Sequence, residues 1–234
     1  MRGSRRLANV CREHPFLPLA SNPGEKEVGQ IFDLSLRGVL RQSILGVQRQ
    51  RQERLMIKIE NSLLVIVDVQ GKLAQLMFEK ERLIANLVRM VKGAQILGIP
   101  ILWNEQNPAG LGGTISELTE LLTALQPQSK MTFSCCGNPM FMDELRRSGR
   151  RQVLLVGIEA HICVYQTAAE LLQQGYDVHL VSDAVSSRTP ENKQVGIERI
   201  RSQGGVITST EMTLFELLRT ADHSRFREIS RLVK

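Results

Sequence analysis

The chain has 234 residues, of which 42% are hydrophobic and only 4% aromatic, which suits one buried core with an appendage and leaves little room for a second full domain. Its net charge of +6 is unevenly placed, since residues 1–55 carry ten Lys and Arg against five Asp and Glu while residues 56–234 carry 20 against 19. A nucleic-acid binder concentrates basic residues on its folded domain, so no nucleic-acid partner is expected. No apolar run approaches the roughly 18 residues that span a bilayer, so no membrane partner is expected either.

The N-terminal 55 residues are rich in arginine and are interrupted by Pro15, Pro18 and Pro23. One short helix is predicted over residues 31–45, and the rest of this basic extension is predicted to be poorly ordered. Its first four residues resemble the start of an expression-vector leader, so a tag, an upstream read-through and a genuine tail all remain open. The functional domain is predicted to span residues 56–234.

From residue 56 onward, apolar strands alternate with segments of helical spacing. In chain order the sequence predicts strand 62–69, helix 79–97, strand 99–103, helices 115–125 and 140–147, strand 153–156, helix 164–174, strand 178–181, helix 191–202 and strand 206–208. Such alternation requires right-handed crossovers and a parallel sheet covered on both faces. The predicted fold class is α/β, a Rossmann-like three-layer α/β/α sandwich with a central parallel sheet. Ligands in such folds bind beyond the carboxyl ends of the strands.

Two residues at strand ends are candidates for chemistry. Asp68 closes the first predicted strand, and Cys163 follows the 153–156 strand near the start of a helix. A helix N-terminus favours an anion, so the pKa of the Cys163 thiol is expected to be lowered and the thiolate could attack a carbonyl. The alternative roles are a helix or loop cap for Asp68 and a small buried hydrophobe for Cys163.

A third candidate is Lys130, which precedes the segment 131–134 of strand-like composition. A lysine in a loop is ordinarily a solvated charge. Here the following strand could turn the side chain inward, where a carboxylate would keep it protonated.

Four motifs around these candidates resemble the isochorismatase-like, or cysteine hydrolase, superfamily over residues 58–232. They are Val-Asp-Val-Gln at 67–70, Ser-Lys at 129–130 before Phe-Ser, Gly-Ile-Glu-Ala-His-Ile-Cys-Val at 157–164, and Ser-Asp-Ala-Val-Ser-Ser-Arg at 182–188. The Gly-Ile-Glu-Ala and Ser-Ser-Arg elements are most similar to the branch called isochorismatase domain-containing proteins.

The resemblance implies an Asp–Lys–Cys triad formed by Asp68, Lys130 and Cys163. It also implies a cis peptide bond between Ile158 and Glu159, which would direct the N–H groups of Glu159 and Cys163 into an oxyanion hole. Gln70 and Gln106 are further candidates for binding the substrate. A homo-oligomer is expected.

The implied activity is hydrolysis of a small amide, ureido or carbamoyl compound by amidohydrolase chemistry. Asp68 would take the thiol proton, Cys163 would attack the carbonyl, and water would hydrolyse the resulting thioester. One alternative is vinyl-ether hydrolysis of an isochorismate-like acid, which does not require the cysteine in this superfamily. A second alternative is a catalytically silent scaffold with the same fold.

Neither a metal nor a cofactor is expected. Metal-dependent relatives carry histidines after the second strand, whereas residues 103–108 here contain none, and His14, His161, His179 and His223 are widely scattered. The glycine-rich stretch 110–113 lacks the GxGxxG spacing of a nucleotide site and is expected to form a loop over the pocket.

The remaining cysteines and one further acid are weaker candidates. The four cysteines, Cys11, Cys135, Cys136 and Cys163, lack CxxC spacing, and with no apparent signal peptide they indicate reduced thiols and a cytoplasmic location. Asp183 is a rival base at another strand end, although it is expected to cap the tight connection that follows it.

Overall fold

The computed structural model describes residues 56–234. The predicted extension 1–55, with its helix over 31–45, its Cys11 and its His14, lies outside the described residues.

A parallel sheet forms the centre of this part of the chain. Its strands are β1 (Ser62–Val67), β2 (Ile101–Gln106), β3 (Gln128–Lys130), β4 (Gln152–Ile158), β5 (Asp177–Ser186) and β6 (Val206–Thr208). All neighbouring pairs are parallel, in the order β3-β2-β1-β4-β5-β6. From β1 the chain continues to β2 and β3 on one side, and from β4 it continues to β5 and β6 on the other side. The order of the strands therefore reverses between β1 and β4, and a ligand is expected in the crevice between these two strands.

Nine α-helices connect and cover the strands within the described residues. They are α1 (Gly71–Gln75), α2 (Lys80–Leu97), α3 (Pro108–Leu111), α4 (Ser116–Thr119), α5 (Pro139–Arg147), α6 (Tyr165–Gln173), α7 (Pro190–Ser202), α8 (Thr210–Leu218) and α9 (Phe226–Leu232). A π-helical turn, Ala160–Val164, leads from β4 into α6.

Every residue of β1 is buried, and successive side chains enter two separate cores. Leu64 and Ile66 pack with the apolar faces of α2 and α8 on one side of the sheet, whereas Leu63, Val65 and Val67 pack with those of α5, α6 and α7 on the other. A strand covered on both faces is expected to be continuously apolar, as β1 is after Ser62. The predicted three-layer α/β/α sandwich is therefore confirmed.

Several element boundaries differ from the prediction. The segment 131–134, of strand-like composition, is not a strand; the strand is β3, Gln128–Lys130, so Lys130 is its last residue. The helix expected over 115–125 is regular only in α4, although Ile115, Leu118 and Leu122 within that range are all buried. Strand β5 extends to Ser186, so Asp183 lies within a strand and not at its end.

Candidate active site

Asp68 directly follows β1 at the edge of the central crevice. Its φ of 52° lies in the left-handed region, which Asp tolerates better than most residues. The turn is fixed by two hydrogen bonds, from the N–H of Asp68 to the carbonyl of Asn104 at 3.1 Å and from the N–H of Gln70 to the carbonyl of Asp68 at 2.8 Å. The chain therefore bends immediately after β1, and the carboxyl group is held at the end of the strand.

Lys130 reaches this carboxylate from the end of β3. Its Nζ lies 2.7 Å from Asp68 Oδ2 and also donates to Gln106 Oε1 at 2.8 Å and to the carbonyls of Thr132 at 3.2 Å and Phe133 at 3.0 Å. Its side chain is 0% exposed. With its donors engaged by these protein oxygens, the ammonium is a fixed positive charge beside Asp68 and has little capacity left to contact a ligand directly.

The Asp68 carboxyl group has two unequal oxygens. Oδ2 carries the ion pair with Lys130, whereas Oδ1 is buried and has no hydrogen-bond partner within residues 56–234. Burial raises the pKa of Asp68, and the neighbouring Lys130 charge opposes that rise. A carboxylate with a raised pKa and a free oxygen is suited to accept a proton.

Cys163 lies in the π-helical turn after β4 and is 8% exposed. The expectation of a lowered pKa was wrong: burial raises the pKa of the Cys163 thiol, and the negative charge of Asp68 raises it further, against a smaller opposing effect of Lys130. The helix begins at Ala160, so the thiol lies inside the turn and not at the exposed N-terminus that the sequence suggested. The sulfur therefore keeps its proton at neutral pH until a base takes it.

Asp68 and Cys163 line one small cavity of about 100 Å³. Its other lining residues are Leu73, Gln106, Leu111, Phe133, Ile158, Glu159 and Ile162. Of the stretch 110–113, which was expected to form a loop over the pocket, Leu111 at the end of α3 lines the cavity. Asp68, Lys130 and Cys163 thus lie together at the carboxyl ends of parallel strands. Asp68 and Cys163 line the cavity, whereas Lys130 contacts Asp68 from behind its wall.

The turn between β4 and Cys163 contains the cis peptide bond implied by the resemblance, between Ile158 and Glu159. Just before it, Gly157 has a φ of 118°, and a Cβ at this position would lie 2.1 Å from the carbonyl oxygen of Val67. Only glycine therefore allows β4 to approach the end of β1 this closely.

Glu159 has a partner that the sequence reasoning did not identify. Its Oε1 accepts hydrogen bonds from the backbone N–H of Arg188 at 3.3 Å and from Arg188 Nε at 3.0 Å. The Glu159 side chain is 7% exposed and that of Arg188 is 55% exposed. The Ser-Ser-Arg motif was the available signal, but without the fold nothing linked it to Glu159.

The two glutamines hold the site together and do not present free amides to a ligand. Gln70 is 0% exposed and does not line the cavity; its amide accepts from the N–H of Gln106 and donates to the carbonyls of Gln106 and Gly112. The polar atoms of Gln70 are used by the backbone in this structure, and a contact of Gln70 with substrate stays a prediction. Gln106 lines the cavity, but its amide bridges Lys130 and the carbonyl of Met131.

The weaker candidates have other surroundings. Asp183 Oδ1 accepts from the N–H and hydroxyl of Thr210 at 2.8 and 2.9 Å, so it caps α8 and not the connection that follows it. Burial raises the pKa of Cys135 to about 12 and that of Cys136 to about 11. Within residues 56–234, no group of three or more His, Cys, Asp or Glu side chains could hold a metal ion, and no helix is long and apolar enough to cross a membrane.

Comparisons with known proteins show the family of the chain. The family model for the isochorismatase domain matches residues 62–212. The secreted isochorismatase effector Isc1 of Phytophthora sojae is 39% identical over 74% of this chain and 85% of its own length, and isochorismatase domain-containing protein 2 of Bos taurus is 38% identical over 74% and 83%. A solved structure of the MAR1 ribonuclease of Caenorhabditis elegans is 38% identical, with a TM-score of 0.72 over 76% of this chain and 91% of that one.

The match covers the whole of the sheet and the residues that line its central crevice. The chain therefore belongs to the isochorismatase family and has its hydrolase fold.

Proposed function

We propose that this protein is a metal-independent cysteine hydrolase that cleaves a C–N bond of a small amide, ureido or carbamoyl compound. The observation that carries the proposal is the buried contact of 2.7 Å between Lys130 Nζ and Asp68 Oδ2 beside a thiol in the same cavity. The pair supplies a fixed cation and a carboxylate whose second oxygen is free. Together with the Cys163 thiol, these groups are sufficient for nucleophilic acyl transfer without a cofactor.

In the first half of the reaction, Asp68 Oδ1 takes the thiol proton as Cys163 Sγ forms a bond to the carbonyl carbon. Because the raised pKa of the thiol keeps the sulfur protonated at rest, proton transfer and attack are coupled. The C–N bond then breaks, Asp68 returns the proton to the departing nitrogen, and a thioester remains on Cys163.

In the second half, a water molecule attacks the thioester and gives a proton to Asp68. The C–S bond breaks, the sulfur regains its proton from Asp68, and a carboxylic acid or carbamic acid is released. Lys130 keeps Asp68 available as a carboxylate before each proton transfer. The N–H groups of Glu159 and Cys163 are proposed to hold the oxyanion, which is supported by the position of both residues in the cavity wall.

Two other activities fit the cavity less well. Isochorismate carries two carboxylates, and RNA, which the C. elegans relative is named for cleaving, carries a phosphate on every nucleotide. None of the nine residues that line the cavity is a lysine or an arginine. A silent scaffold would have no need of a buried carboxylate oxygen without a partner.

A homo-oligomer and a cytoplasmic location remain predictions.

The test is a screen of short amides, ureido compounds, carbamoyl compounds and isochorismate for release of ammonia or amine and for vinyl-ether cleavage. Wild type is compared with Cys163→Ala and with Cys136→Ala, which removes a half-buried thiol that does not line the cavity. We expect ammonia or amine release by wild type and Cys136→Ala, and none by Cys163→Ala. Cleavage of isochorismate by all three proteins would overturn the proposal, and silence across the panel would favour the scaffold.

A further inference from the structure

The charges around the cavity suggest which substrates it can accept. Two of its nine lining residues, Asp68 and Glu159, are acids, and none is a lysine or an arginine. The nearest cation, Lys130, is sealed behind the wall, where its side chain is 0% exposed and its donors are engaged by four oxygens. A carboxylate that entered the cavity would therefore meet two acid side chains that are already paired with Lys130 and Arg188, and would find no free cation to pair with.

Arg188 does not change this balance inside the cavity. Both its Nε and its backbone N–H donate to Glu159 Oε1, and its side chain is 55% exposed. The guanidinium is therefore paired with Glu159 through Nε, and more than half of the side chain is exposed.

Apart from Gln106 and Cys163, the remaining lining is apolar and confines a small group. Leu73, Leu111, Phe133, Ile158 and Ile162 surround a space of about 100 Å³. An apolar protein cavity of about 150 Å³ can hold benzene. By that comparison, the buried part of a substrate here has roughly four or five non-hydrogen atoms. Larger portions must project out of the cavity, whose lining includes the exposed side chains of Leu111 and Phe133.

We infer that the site selects an uncharged substrate whose acyl part is compact and carries a short apolar substituent, and that it rejects compounds bearing a carboxylate near the reacting carbonyl. The inference rests on the proposed function and narrows it: short aliphatic amides and their N-substituted forms fit, whereas ureido acids and isochorismate do not. The physical reason is that an ionised carboxylate loses its hydration on entry and gains no paired charge in return.

The inferred rejection of carboxylates can be tested at Cys163 with two alkylating reagents of nearly equal size, neutral iodoacetamide and anionic iodoacetate. In both reactions Sγ forms a bond to the methylene carbon, the C–I bond breaks, iodide leaves, and the thiol proton passes to Asp68 or to the buffer. The rate ratio of the two reagents at Cys163 is measured by peptide mass spectrometry on the full chain and is divided by the same ratio for glutathione.

We expect this normalised ratio to favour iodoacetamide by at least about tenfold, the low end of what a pocket achieves between closely similar ligands. Glu159→Gln removes one of the two acids and frees Arg188, so it should lower the ratio toward one. The matched control is Glu228→Gln, which breaks another Arg–Glu ion pair, with Arg225, outside the cavity, and which should leave the ratio unchanged.

Equal labelling, a preference for iodoacetate, or no labelling of Cys163 by either reagent would overturn the inference. Failure of the proposed function gives a different result. In that case Cys163→Ala would retain hydrolysis, or no amide would be cleaved, while the reagent preference at Cys163 could still be present.

Discussion

Replacing Lys130 with methionine isolates the energetic role of the buried ammonium. Lys130→Met keeps most of the side-chain stem but removes the hydrogen bonds to Asp68, Gln106 and two carbonyls. Asp68 is 1% exposed and would become a buried charge without a cation. Removing one partner of a buried ion pair costs about 3–5 kcal/mol, so the free energy of unfolding should fall by about that amount at pH 8.

The loss should depend on pH in a defined direction. Burial already raises the pKa of Asp68 and Lys130 opposes the rise, so removing Lys130 raises the pKa further. The folded variant then keeps a proton that the unfolded chain releases above about pH 4. Its stability relative to wild type should therefore decrease as the pH rises, by up to about 1.4 kcal/mol per unit, until the folded pKa of Asp68 is reached.

Urea unfolding followed by circular dichroism at pH 5 and pH 8 measures both effects. Lys130→Met combined with Asp68→Asn removes the unpaired charge, so the double variant should be more stable than Lys130→Met at pH 8. Lys80→Met is the matched control, because Lys80 forms an exposed ion pair with Glu81 at 3.8 Å and should cost less than about 1 kcal/mol. The reasoning fails if Lys130→Met costs no more than this control, or if its cost is the same at both pH values.

Three further changes test the pKa shifts and the close approach of β4 to β1. Burial lowers the pKa of His179 to about 4, so below about pH 6.5 the unfolded chain binds a proton at this residue that the folded chain does not bind until about pH 4. The free energy of unfolding of the wild type should therefore fall by about 3 kcal/mol between pH 6.5 and pH 4 because of His179, and this contribution should be absent in His179→Leu. Urea unfolding measures the difference. Burial raises the pKa of Cys135 to about 12, so stability should fall as the pH rises above about 9, and Cys135→Val should reduce that alkaline slope in thermal melts. Gly157→Ala should cost about 3 kcal/mol or more through contact with the Val67 backbone, whereas Gly204→Ala, at positive φ but with open space, should cost about 1 kcal/mol in the same assay.

The central strands could be predicted because their physical signal is local. Strands β1 and β4 are buried on both faces and consist largely of apolar residues, so their positions and their parallel arrangement follow from composition and from the helices between them. Strand β3 has no such signal. Its residues, Gln-Ser-Lys, form a strand because they pair with β2 at the edge of the sheet, and only the fold shows that pairing.

The convergence of Asp68 and Cys163 also follows from sequence, because the carboxyl ends of adjacent parallel strands meet. The protonation of Cys163 does not follow from sequence. A helix start predicts a lowered pKa, whereas the observed direction depends on how deeply the sulfur is buried and on how close the Asp68 carboxylate lies. Gln70 was assigned to the substrate from its place in a motif, but its partners are backbone groups that come from β2 and the loop after α3.

The order of the strands also has a consequence for folding. Lys130 and Asp68 are separated by 62 positions in the chain, and Cys163 lies beyond both, on the far side of β1 from β3. No contiguous fragment of fewer than about a hundred residues contains all three groups, and their contact requires β3, β2, β1 and β4 to be paired in register. Since such non-local pairing is slow compared with helix formation, the Lys130–Asp68 contact should be among the later ones to form during refolding.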